Sequence, residues 1–172
     1  LENHKQIRFL NDGRIIWISE KSGYKHLWIS KHSGSMSWPI TQGQWEVSKI
    51  VHVDEEKEIV YFTSNKESVF ESRFYSIRYD GTDLKLLTTE DGNHSVSLLG
   101  SKLYFIDTFS SLQTPKVIQL KELSTGNLIR TIAKTDKDQF EEYAWSTPQI
   151  IQFPSLDSTL LLDGLLLLPK NY

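Results

Sequence analysis

Residues 43–92, GQWEVSKIVHVDEEKEIVYFTSNKESVFESRFYSIRYDGTDLKLLTTEDG, form one complete unit that the rest of the chain repeats. Four short strands can be read from it. Glu46 to Val53 is the first, closed by the acidic turn Asp54 to Lys57. Glu58 to Ser64 places Ile59, Tyr61 and Thr63 on one face and Val60 and Phe62 on the other, which suits a strand buried on both sides. Arg73 to Tyr79 sets Tyr75, Ile77 and Tyr79 against Ser76 and Arg78, so it is expected to be half-buried. Asp80-Gly81 supplies a tight turn into a fourth strand, Leu84 to Thr88, and Asp91-Gly92 ends the unit.

The same signals recur on either side. Ile15, Ile59 and Leu103, which open IIWIS, IVYFTS and LYFID, fall 44 residues apart. The turn glycines Gly34, Gly81 and Gly126 are separated by 47 and 45. Four-stranded repeats of roughly 40–50 residues are the signature of β-propeller blades. The expected fold is therefore all-β: a partial propeller of about three four-stranded antiparallel blades, over residues 1–42, 43–92 and 93–134.

Outward from the central unit, Gln6 to Leu10 reads as a strand, and Ile15 to Ser19 with His26 to Ser30 as a hairpin. Trp17 and Trp28 are expected to pack between sheets. Pro39, lacking an N–H, marks Ser37 to Thr41 as an edge strand. In the third unit the strands are Ser95 to Leu99, Leu103 to Asp107, Lys116 to Leu123 and Asn127 to Ile132, with Thr108 to Pro115 expected to project as a loop. Asp136 as N-cap, with Phe140, Tyr143 and Ala144 at helical spacing and Pro148 as a stop, predicts a short helical connection over residues 135–148. Residues 149–172 read as a leucine-rich hairpin outside the repeat, belonging to a neighbouring unit. Three blades do not close a ring that needs about four to eight. The open faces at either end are expected to favour self-association.

Composition excludes several functions. The net charge is −3 and no Lys/Arg cluster interleaves with aromatics, so nucleic acid is not an expected partner. With no cysteine, disulfides, thiolate catalysis and Cys-type zinc sites are excluded. The longest apolar run, Leu160 to Leu168, is broken by Asp163-Gly164 and falls short of the ~20 residues of a membrane helix. The chain begins at Leu1 without a methionine or a leader pattern and is expected to be a piece of a longer one.

No motif carries catalysis. No glycine has a serine two residues on, as a nucleophile elbow requires, and phosphate-binding glycine loops are missing. His4, His26, His32, His52 and His94 are scattered without metal-pair spacing, so no metal or cofactor is expected. Asp54-Glu55-Glu56 lacks the alternation and glycine of a calcium loop and reads as a solvated turn. Glu46, opening the inner strand of the central unit, could meet a peptide amine, but a lone carboxylate beside Trp45 reads better as solvated. No catalytic, cofactor-binding or metal-binding residue is therefore assigned.

With these residues laid out, the chain resembles the propeller domain of the dipeptidyl peptidase IV branch of the prolyl oligopeptidase family. The matching segments are SEKSGYKHLW (Ser19 to Trp28), TQGQWEVSKI (Thr41 to Ile50), IVYFTSNKES (Ile59 to Ser68), HSVSLLGSKLYFIDTFSSLQTPKV (His94 to Val117) and FPSLDSTLLLDGLLLLPKNY (Phe153 to Tyr172). The resemblance implies the C-terminal part of a propeller whose hairpin leads toward an α/β-hydrolase domain. It also implies a secreted, periplasmic or membrane-anchored parent: a serine exopeptidase that removes N-terminal Xaa-Pro or Xaa-Ala dipeptides. The family's triad would lie downstream of Tyr172 and its amine-binding glutamates upstream of Leu1, so none of those roles falls on a residue here. The expected role is to wall and gate the active site, with the upstream blades, the hydrolase domain and the peptide substrate as partners. A TolB-like binding propeller that docks proteins is the alternative from another class, and an endo- or acylaminoacyl-peptidase the sibling that changes specificity alone.

Overall fold

The computed structural model describes residues 6–31, 36–136 and 148–169. They form three four-stranded sheets and one hairpin, all antiparallel. The first sheet runs in chain order through β1 (Ile7–Phe9), β2 (Ile15–Ser19), β3 (His26–Ser30) and β4 (Ser37–Pro39). The second comprises β5 (Val47–Asp54), β6 (Ile59–Ser64), β7 (Arg73–Arg78) and β8 (Lys85–Leu86). The third comprises β9 (Asn93–Leu98), β10 (Tyr104–Ser110), β11 (Val117–Glu122) and β12 (Leu128–Lys134), and the hairpin pairs β13 (Gln149–Pro154) with β14 (Leu161–Leu166). This is the expected all-β partial propeller. The predicted helix falls on residues 135–148, most of which lie outside the described residues.

Because side chains alternate across a strand, the central sheet can bury both faces. Val60, Phe62, Tyr75 and Ile77 face the first sheet and join Ile16, Leu27, Ile29, Val47 and Ile50 in one core. Tyr61 and Phe74 face the third sheet and join Leu87, Phe105 and Leu123 in a second. The expectation for β6 holds, and that for β7 is corrected. β7 is buried from Arg73 to Ile77 on both faces, with Phe74 inaccessible, because the third sheet covers the side that serine and arginine had marked as polar.

Two further expectations change. Trp17 and Trp28 pair across β2 and β3 on the face opposite the core residues Ile16, Leu27 and Ile29, and neither joins a core cluster; Lys21 lies 5.2 Å above the Trp28 ring. β10 continues through Ser110 into the segment expected to loop, since Thr108 and Phe109 pair with both β9 and β11. Pro39 does lie on an edge strand.

The fourth strands of the first two sheets, β4 and β8, are shorter than predicted, for a reason visible at their ends, whereas β12 runs on to Lys134. In the second sheet the Leu87 N–H donates to the Phe74 carbonyl at 2.8 Å, and the Phe74 N–H donates back to the Thr88 hydroxyl at 2.9 Å. The side chain supplies the acceptor that a continued ladder would have supplied. Thr41 does the same for the Leu27 N–H at 2.9 Å. Replacing Thr88, which is fully buried, by valine leaves the Phe74 N–H unpaired. A loss of about 1–3 kcal/mol in unfolding free energy is expected, read as a lower urea midpoint at unchanged m.

Neighbouring sheets approach each other at backbone distance. A Cβ on Gly126 would lie 2.4 Å from the Leu87 carbonyl oxygen, and one on Gly81 3.0 Å from that of Ile40. Both glycines also take a left-handed φ, +76° and +82°. The turns after β7 and β11 thus sit on the ends of the preceding sheets.

Candidate functional site

Two seams between sheets hold the polar groups that could act on another molecule. Equivalent backbone bonds close both: the Val47 N–H donates to the Lys25 carbonyl at 2.7 Å, and the His94 N–H to the Ser72 carbonyl at 2.8 Å.

The first seam opens at one end into a cleft of about 700 Å³ lined by Gln6, Ile18, Ser19, Glu20, Lys25, Glu46, Val47 and Ser48. Glu46, the carboxylate singled out in the sequence, lies here with its backbone N–H held by the Asn65 side-chain oxygen at 2.6 Å. Lys25 stands between two acids, 3.7 Å from Glu20 and 3.9 Å from Glu46. An incoming amine would have to displace that ammonium. All three groups are well exposed, where such pairs contribute little. His26, at the same end, is committed elsewhere: its nitrogens meet the Thr41 hydroxyl and the Gly43 carbonyl, each at 3.0 Å. The cleft can hold a polar group but presents no nucleophile beside a base.

The acidic turn is more than a solvated loop. The Glu55 carboxylate accepts the Asn11 N–H at 2.7 Å, and Glu58 binds Arg14 at 2.6 Å while Arg14 lies 5.0 Å over the Tyr79 ring. Asp54 takes the Lys57 N–H and ammonium; these contacts outweigh burial and hold its carboxyl below the usual range. Glu56 alone of the acidic triplet is exposed. His52 stacks on Tyr61 at 6.0 Å, and burial with nearby Lys102 pushes its imidazole down. His4 and His32 lie outside the described residues. No group of three or more His, Asp or Glu among the described residues is placed to hold a metal ion.

The second seam holds a buried ionic network that reading by residue type missed. His94 Nδ1 lies 2.8 and 3.0 Å from the two Asp107 oxygens, and Nε2 lies 2.8 Å from the Glu90 carbonyl. Lys121 Nζ binds Asp107 at 3.2 Å and the Glu90 carboxylate at 2.5 Å. His94, Asp107 and Lys121 are 5%, 0% and 1% exposed. Burial pushes the Glu90 carboxyl up, but the bond from Lys121 more than offsets it and holds that carboxyl below its ordinary 4.5. A carboxyl depressed in the folded state stabilises above that ordinary value, so the Glu90 contribution is expected to disappear as acid takes the pH down through its lowered value. A thermal melt series below about pH 5, run beside Glu90→Gln, should show the wild type losing more of its melting temperature than the variant.

The signal for this network was present in the repeat. In the strand ladders Asp107 lies two residues before the partner of His94, as Phe62 lies two before the partner of Val47; Lys121 pairs with Phe105 as Ile77 pairs with Val60. Aligning the units by ladder position would have shown three polar residues where the central sheet has three apolar ones.

Three stacked four-stranded meanders define a segment of a β-propeller. A family profile described as dipeptidyl peptidase IV (DPP IV) N-terminal region matches residues 1–116. The chain belongs to that family. It is 31% identical over 131 residues to a probable dipeptidyl peptidase 4 of Emericella nidulans, covering 74% of this chain and 17% of that one. With the probable dipeptidyl peptidase 4 of Aspergillus flavus it shares 30% over 168 residues, 94% of this chain and 21% of the relative. The crystal structure of Porphyromonas gingivalis dipeptidyl peptidase 4 superposes with a TM-score of 0.87 at 25% identity, over 97% of this chain and 24% of that one. A putative dipeptidyl aminopeptidase IV from Bacteroides ovatus shares the fold, with a TM-score of 0.80 over 96% of this chain and 26% of that one. The chain thus spans about a fifth of the length of these fungal relatives.

Proposed function

We propose that this chain is the non-catalytic propeller wall of a serine exopeptidase, limiting entry to its active site to peptides with a free N-terminus and so permitting release of Xaa-Pro and Xaa-Ala dipeptides. The observation that carries the reading is the superposition of three consecutive sheets on a dipeptidyl peptidase 4 over 97% of the chain. In this reading residues 1–42, 43–92 and 93–134 are three consecutive blades, 135–148 connect them onward, and 149–172 begin the passage into a hydrolase domain. The exposed Ile150, Phe153, Leu161 and Leu165 of the hairpin suit a surface covered by such a domain. The parent acts outside the cytoplasm.

The test uses the full-length protein with Gly-Pro and Ala-Pro reporter amides, each with a free and an acetylated N-terminus. Turnover of the free forms alone supports the reading. No turnover by the folded protein, or equal turnover of the acetylated forms, overturns it. Since Lys25 already stands against the exposed Glu46 carboxylate, Glu46→Gln is expected to leave KM for these amides within about twofold of wild type, an effect of roughly 0.4 kcal/mol or less.

A further inference from the structure

The blades of a propeller surround a central channel, and β1, β5 and β9, the first strand of each sheet, each end it at a free edge. Bonds between β1 and β5 show how close these strands lie. Gln6 Nε2 donates to the Ser48 carbonyl at 3.2 Å, the Ile50 N–H donates to Gln6 Oε1 at 3.4 Å, and Arg8 Nη2 donates to the Ile50 carbonyl at 3.0 Å. Side chains of β1 thus occupy backbone groups that β5 turns away from its own sheet. Two register shifts and the exposed Lys49 break up the same edge further. Capping, bulges and lysine all keep another strand off a sheet edge.

Among the described residues, β9 carries none of these protections. Its ladder with β10 runs through six pairs without a shift, and it contains no proline and no lysine. The His94 N–H points away from β10, to the Ser72 carbonyl. Because a regular antiparallel ladder alternates, Val96 and Leu98 also turn their N–H and C=O groups away from β10. The second sheet supplies no cap for them. Ile7 faces Trp17 as His52 faces Tyr61, so Val51 and Val53 of β5 stand where Gln6 and Arg8 stand on β1. Valine side chains neither donate nor accept, and these two pack against the cores instead. Beside the open groups, Ser95 and Ser97 are exposed and small.

Resting on the reading of this chain as the wall of an exopeptidase, we propose that the β9 edge is a docking strand for the peptide substrate. The extended tail beyond the cleaved dipeptide pairs its main chain with the N–H and C=O groups of Val96 and Leu98. Strand addition draws its affinity from main-chain bonds. The edge therefore accepts tails of varied sequence, provided that the tail nitrogens facing it carry hydrogen.

The test uses the full-length protein and the peptide Gly-Pro-Ser-Thr-Val-Thr-Val, with N-methyl groups on either its threonine or its valine nitrogens. An added strand turns only every second N–H to its neighbour, so one methylated form is expected to lose about fivefold or more in kcat/KM and the other to stay within about twofold. Equal values for the two forms overturn the proposal. Amide exchange supplies the second readout: the product Ser-Thr-Val-Thr-Val at millimolar concentration is expected to slow exchange at Val96 and Leu98 about fivefold or more. No slowing overturns the proposal. Protection of both amides before any peptide is added also overturns it, since the edge would then be held by another strand of the protein or by a second copy. Val96→Pro removes one outward N–H and spares the ladder, and it is expected to lower kcat/KM for the unmethylated peptide about threefold or more. An unchanged value overturns the proposal, and the wild-type readouts decide alone if the variant does not fold. Failure of the reporter amides to turn over strikes the exopeptidase reading instead, and the exchange result then decides whether the edge binds an extended chain.

Discussion

Asp107→Ala is expected to lower the unfolding free energy by about 3–5 kcal/mol, the range for removing one partner of a buried ionic group. Asp107 is fully inaccessible and is the only carboxylate among the described residues that contacts both His94 and Lys121. Its removal leaves two buried donors facing a void, with Glu90 able to reach Lys121 alone. Urea unfolding monitored by tryptophan fluorescence would show the midpoint shift. A loss below about 1 kcal/mol would mean that water enters the seam and pairs the cations, contrary to the burial seen here. Asp107→Asn keeps the shape and one acceptor and is expected to cost less, which separates the lost charge from the lost volume.

Phe62→Ala is expected to cost a comparable 3–5 kcal/mol or so, for an apolar reason. The ring is fully inaccessible and lies between Trp45, 6.4 Å away and nearly parallel, and Tyr75 at 5.6 Å. Close packing around it leaves no side chain free to fill the space, so the lost transfer energy is joined by the cavity. Phe62→Leu retains most of the volume and should cost under about 1.5 kcal/mol. Phe9 serves as the control. It is apolar but 77% exposed, and Phe9→Ala is expected to change stability by no more than about 0.5 kcal/mol. Equal effects at Phe9 and Phe62 would remove the first seam as the source of the core's stability.

Much of the candidate site was hidden for a physical reason. A histidine, an aspartate and a lysine spread over 28 positions carry no local spacing signal, because a β-ladder joins them across strands rather than along one. Glu46 was legible as a strand-opening acid, but Lys25 was not legible as its neighbour, since 21 residues separate them. Likewise the acidic turn read as solvated because Asn11 and Arg14, which hold Glu55 and Glu58, come from the preceding sheet.

By itself the sequence determined whatever depends on local chemistry and its period: the strands and their order, the turn glycines Gly81 and Gly126, the edge position of Pro39 and the repeat that makes this a propeller segment. Alternation shows that a strand has two faces; it does not show what lies against each. Only the tertiary structure decided that Trp17 and Trp28 lie on the face opposite the Ile16 cluster while Phe74 and Ser76 are buried between the second and third sheets, and that one seam is apolar and the other ionic. Burial and charge pairing are properties of two surfaces in contact, and here the partners lie between 13 and 44 residues apart along the chain.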